Sequence, residues 1–171
     1  MASVHSPSHR ASAAGDRSGA DERPTADVRR RLAGGLRVLL VEDEALNIIH
    51  AEDLLADLGH TVVEVATTLA DGLEAARLLD VELAVLDLNL SGTLSFPVAQ
   101  ALERRGVPFL FLTAYGRWGL NEAYGDVAVV TKPMTRTALA EAIRTTLRRG
   151  DPDGHPADER RPDAADGSPE T

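Results

Sequence analysis

Five short apolar runs mark the middle of the chain: Leu36–Val41, Thr61–Val65, Leu83–Leu86, Val107–Leu112 and Val127–Val130. Their apolar positions mostly run on rather than alternate. That is the pattern of strands covered on both faces. The stretches between them switch to a helical period. Ile48, Ala51, Leu55 and Leu58 share one face before Gly59, and Leu69, Leu73 and Ala76 share another behind a cap at Thr67 or Thr68. A third helix is predicted to open at Ser95, with Pro97 in its first turn, and to end at Gly106. A fourth, over about 116–124, is short and weakly patterned. The last follows Thr135 and carries Leu139, Ile143 and Leu147. Strict alternation of this kind predicts an α/β fold, a doubly wound five-stranded parallel sheet with helices on both faces. In such a fold the chemistry lies beyond the carboxyl ends of the strands.

Those ends are polar in a consistent way. The first run ends on Glu42, Asp43 and Glu44, the third on Asp87, the fourth on Thr113, and the fifth just before Lys132. The second ends without an obvious functional group. With the first strand between the second and third, the four polar ends fall side by side. Three carboxylates in one place repel one another. A hard divalent cation with oxygen ligands, Mg²⁺ before others, relieves that repulsion. A metal beside a carboxylate suits phosphoryl transfer, with Asp87 as nucleophile, Thr113 as a hydrogen-bond donor to a phosphoryl oxygen and Lys132 as a point charge on another.

Composition narrows the field. Aromatics make up 4% of the chain, so its core is expected to be aliphatic. The formal net charge of −9 disfavours nonspecific nucleic-acid binding. The absence of cysteine excludes disulfides and thiolate metal sites and fits a reducing, cytoplasmic setting. No apolar run is long enough to insert in a membrane. The triple arginine Arg29–Arg31 is not read as an export signal, because the apolar stretch behind it runs straight into three acids. Residues 1–34 and 150–171 lack a hydrophobic period and read as disordered tails around a domain at 35–149, the second tail acidic.

The four strand-end motifs, in this order, resemble the receiver domain of two-component response regulators over residues 36–148. The resemblance implies the flavodoxin-like strand order 2-1-3-4-5 and a stand-alone response regulator. It implies phosphorylation at Asp87 by a histidine kinase or phosphotransfer protein, and signalling to a further protein through phosphorylation-dependent binding. Asp43, Asp87 and the backbone carbonyl of Asn89 would ligate Mg²⁺, with Glu42 acting mainly through water. Thr113 and Lys132 would hold the phosphoryl oxygens. The Lys132–Pro133 bond would be cis. The last helix with the strand before it is the dimer interface the resemblance implies. The stretch RGVPFLFLTAYG, residues 105–116, is similar to the signature of the FAT-GUY receivers, which are typically single-domain, with Phe111 and Thr113 matching and Leu112 and Ala114 departing.

Three further positions depart from ordinary receivers. Val129 stands where an aromatic switch residue is usual, which leaves Thr113, Tyr115 and Trp118 as the switch candidates. Leu90-Ser91 replaces the common Met-Pro, so a looser loop is expected after Asp87. Two other functions remain open on the residues. One is a receiver-fold module that binds partners regardless of phosphorylation. The other is a haloacid-dehalogenase-like phosphatase, for which Asn89 stands where the general acid is needed. A catalytic activity beyond the chain's own phosphotransfer is not expected. His50 and His60 read as structural or solvated, the Arg104–Arg105 pair as a solvated helix end, and Gly72 inside the second helix has no evident role.

Overall fold

A computed structural model describes residues 33–149. The flanking segments read above as tails lie outside the described residues, apart from 33 and 34. The elements run β1 (Arg37–Val41), α1 (Ala45–Asp57), β2 (Thr61–Ala66), α2 (Leu69–Leu78), β3 (Leu83–Asp87), a hairpin of β4 (Asn89–Leu90) and β5 (Thr93–Leu94), α3 (Phe96–Glu103), β6 (Phe109–Thr113), β7 (Val129–Thr131) and α4 (Arg136–Arg149). Five strands form one parallel sheet in the order β2-β1-β3-β6-β7. Leaving the hairpin aside, this is the expected order, with β1 between β2 and β3.

The continuous apolar runs follow from that architecture. Side chains alternate across a strand, so each run feeds both faces. Leu39, Val41, Ala84, Leu86, Phe109 and Phe111 pack on one side, under α2 and α3. Val38, Leu40, Leu83, Val85, Leu110 and Leu112 pack on the other, under α1 and α4. At about 25 cal/mol per Å² of apolar surface removed from water, these two layers supply the main drive to fold.

Local details refine the sequence reading. Thr68, not Thr67, caps α2, accepting from the Asp71 amide at 3.1 Å and donating to the Asp71 carboxylate at 2.7 Å. Thr135 accepts from the Ala138 amide at 3.2 Å at the start of α4. Ser95 precedes α3 but makes no capping bond; Pro97 in the first turn removes one amide that would need one. The expected fourth helix is absent: residues 116–119 and 122–124 form two 3₁₀ turns. The few apolar positions in that stretch leave no continuous helical face to bury.

Three other expectations are corrected or explained. Arg105 is not merely solvated. Its guanidinium donates to the carbonyls of Ala76 (2.7 Å) and Leu79 (2.8 Å), at the end of α2 where carbonyls lack helical partners. Gly72 lies where α2 crosses the sheet, and a Cβ there would sit 3.2 Å from both Val41 and Val98 side chains. The aromatic residues, though few, are gathered. Tyr124 is buried and stacks on Phe96 at 5.2 Å between ring centres, with Phe109 and Phe111 edge-on. Among the described residues, no helix is long and apolar enough to cross a membrane.

Candidate metal and phosphoacceptor site

Register brings the polar strand ends together. β3 pairs with β1 on one side and β6 on the other, and β6 pairs with β7. Val41 opposite Leu86 therefore sets Glu42 and Asp43 beside Asp87, while Thr113 opposite Thr131 sets Lys132 across from them. Asp43, Asp87, Thr113 and Lys132 line one open cleft of about 740 Å³, with Glu42 buried beside it. Oxygens of Glu42, Asp43 and Asp87 all lie within 4.8 Å of one another.

Lys132 is the cation of this cluster. Its ammonium sits 2.6 Å from Glu42 Oε2 and 2.8 Å from Asp87 Oδ2. Burial pulls the lysine pKa down, but hydrogen bonds and charge from Asp87 and Glu42 outweigh it, and the net shift is upward. Lys132 is therefore protonated throughout the neutral range. Glu42 has no exposed surface. Burial raises its pKa above the usual carboxylate value, helped by the charge of Asp87 and opposed by hydrogen bonds from Lys132 and Asn47. Its Oε1 accepts from the Glu44 amide and from Asn47 Nδ2, both at 3.2 Å. Both oxygens of Glu42 thus face protein donors.

Three carboxylates against one ammonium leave an excess of two negative charges. One divalent cation would cancel that excess, and the donors are all oxygen, so this residue set fits Mg²⁺.

The other predicted positions fall as follows. Thr113 is buried and its Oγ1 accepts from the Tyr115 amide at 3.1 Å. The Tyr115 ring is 77% exposed rather than packed against the threonine. The Trp118 side chain lies outside the described residues. Val129 is half-buried and packs against the aromatic layer that contains Phe111 and Tyr124. The Lys132–Pro133 peptide bond is cis.

The expected looser loop after Asp87 is instead a hydrogen-bonded antiparallel hairpin. Asn89 pairs with Leu94 and Leu90 with Thr93 around a two-residue turn at Ser91-Gly92. Both turn residues have positive φ, 48° and 91°, the geometry that joins strands of natural twist. The Asn89 amide donates to Asp87 Oδ1 at 3.2 Å, and the Asn89 side chain accepts from the Gly92 amide at 2.7 Å. Ser91 Oγ donates to Asp43 Oδ2. Sequence reasoning missed this contact, although Ser-Gly is itself a turn signal.

The family described as the response regulator receiver domain matches residues 38–144. The chain belongs to that family. Among curated proteins, this receiver is similar to the transcriptional regulatory protein TcrA of Mycobacterium tuberculosis, 36% identical over 126 residues. The match covers 68% of this chain and 47% of TcrA. The chain spans about half the length of the curated relatives it matches. Among solved structures it is similar to SdrG of Sphingomonas melonis Fr1, with a TM-score of 0.62 and 35% identity, over 67% of this chain and 98% of SdrG. It is also similar to the receiver domain of the PhyR response regulator of Erythrobacter litoralis, with a TM-score of 0.57 and 30% identity, over 69% of this chain and 91% of that one.

Proposed function

We propose that this receiver, folded over residues 35–149, accepts a phosphoryl group on Asp87 from a phosphohistidine and signals by phosphorylation-dependent binding to a partner protein. The observation that carries this reading is the meeting of Asp87, Asp43, Thr113 and Lys132 in one cleft. A carboxylate oxygen of Asp87 attacks phosphorus. A P–O bond forms and the N–P bond breaks, its electron pair staying on the imidazole nitrogen of the donor. Lys132, within 3 Å of Asp87, moves from the carboxylate to a phosphoryl oxygen as charge shifts there. The Thr113 hydroxyl donates to a second oxygen. Asp43, Asp87 and the Asn89 backbone carbonyl would hold Mg²⁺, with Glu42, buried behind them, contributing charge. When bound, the ion offsets the negative charge of the carboxylates and the incoming phosphoryl group.

The donor is proposed to be a histidine kinase or phosphotransfer protein in the cytoplasm. Leu46 and Ile49, on the first turns of α1 beside the acidic end of β1, are exposed apolar residues that such a donor could cover.

The test is intact-mass analysis after incubation with acetyl phosphate, with and without Mg²⁺, on the wild type and Asp87→Ala. A single phosphoryl adduct that needs both Mg²⁺ and Asp87 is expected. An adduct of equal yield on Asp87→Ala would remove Asp87 as the acceptor.

A further inference from the structure

We propose that Ser91 is a positioning residue for the cation: its hydroxyl holds the Asp43 carboxylate in one orientation and ties ion binding to the β4–β5 hairpin. This rests on the reading of Asp43 as a ligand of that ion.

The three acids of the site are held very unequally. Glu42 receives the Lys132 ammonium, the Glu44 amide and the Asn47 side chain. Asp87 receives Lys132 and the Asn89 amide. Asp43, the most solvent-accessible of the three, accepts one hydrogen bond among the described residues, from Ser91 Oγ to Oδ2. A carboxylate oxygen accepts in about two directions, so Oδ2 engaged by Ser91 leaves Oδ1 free for a cation. Without the hydroxyl, no hydrogen bond among the described residues holds the Asp43 carboxylate. Hydrogen bonds of this kind to a metal ligand orient it and typically change metal affinity 10–100-fold.

The backbone at Ser91 points the same way. Its φ of 48° lies in the left-handed region, where glycine or asparagine sits with less strain than serine. That conformation belongs to the hairpin turn, and the serine that occupies it supplies the hydroxyl bonded to Asp43. The hairpin does not depend on that bond. Strand pairing and the Asn89–Gly92 hydrogen bond define it independently. Asn89, whose carbonyl is the other proposed ligand from this segment, opens the same hairpin. An ion in the cleft would therefore be gripped by the start and the turn of this hairpin: directly through the Asn89 carbonyl, and through Ser91 and Asp43.

The experiment is titration with Mn²⁺, a hard divalent probe whose free form is counted by its electron paramagnetic resonance signal. It compares the wild type with Ser91→Ala, Ser91→Gly, Ser91→Asn and Asp43→Asn. Glycine relieves the turn backbone, so a loss of affinity in Ser91→Gly reports the hydroxyl rather than the fold. Ser91→Ala and Ser91→Gly are expected to bind Mn²⁺ about 10-fold or more weakly. Ser91→Asn, which tolerates the left-handed region and carries a donor, is expected to recover part of the loss. If Asp43→Asn loses Mn²⁺ while Ser91→Ala and Ser91→Gly bind as tightly as wild type, Ser91 does not position the ligand and the site reading stands. If the wild type and Asp43→Asn bind alike, the site reading itself fails and this proposal with it.

Discussion

His60 shows how one buried side chain can make stability depend on pH. Its Nδ1 accepts from the Leu36 amide at 3.2 Å, where the chain enters β1. That bond needs a neutral ring with a lone pair at Nδ1. Burial lowers the His60 pKa below its ordinary 6.5. The unfolded chain therefore binds the proton at higher pH than the folded one. The stabilisation is complete above about pH 6.5 and is lost as pH falls toward the depressed folded value. Chemical denaturation between about pH 7.5 and 5.5 should show stability falling in the wild type and a flatter profile in His60→Gln. Equal slopes in the two proteins would exclude His60 as the cause.

At the scale of elements, the close crossing of α2 over β1 and α3 depends on Gly72. A glycine inside a helix costs about 1 kcal/mol relative to alanine, so its presence asks for a packing reason. The reason is space: Val41 and Val98 methyl groups lie 3.2 Å from where a Cβ would stand. In Gly72→Ala the gain in helix propensity and the tight contact oppose each other. In Gly72→Val the added bulk decides, and the variant should lose about 1–3 kcal/mol in urea unfolding by forcing α2 off the sheet. An unchanged unfolding midpoint for Gly72→Val would mean that α2 can shift freely. The stretch after β6 is the converse case. Without a continuous apolar face it forms two 3₁₀ turns, and buried Tyr124, with half-buried Leu120, packs onto the core layer below.

For the molecule as a whole, the acidic cleft is a built-in electrostatic cost at the end of a well-packed sheet. An ion that binds only the folded state stabilises it by mass action, by about 2.7 kcal/mol at one hundred times its dissociation constant. Thermal unfolding in EDTA and in saturating Mg²⁺, at matched ionic strength, should differ accordingly. The difference should vanish in Asp43→Asn. A wild type that melts identically in both conditions would show that the three carboxylates do not bind the ion.

The sequence by itself determined the alternation of strands and helices, the burial of both sheet faces and the polar residues at four strand ends. These follow from local patterns: apolar runs set by two-sided burial, a helical period, and capping and turn residues. Asp87, Thr113 and Lys132 were legible because each breaks an apolar strand at its carboxyl end. Only tertiary structure decided the rest. That Arg105 reaches the carbonyls of another helix and that Gly72 makes room for Val41 and Val98 depend on neighbours far away in the chain. The bond from Ser91 to Asp43, 48 residues apart, belongs to the same class. The physical reason is that a hydrogen bond or close contact between distant residues is fixed by strand register, and register is a property of the assembled sheet.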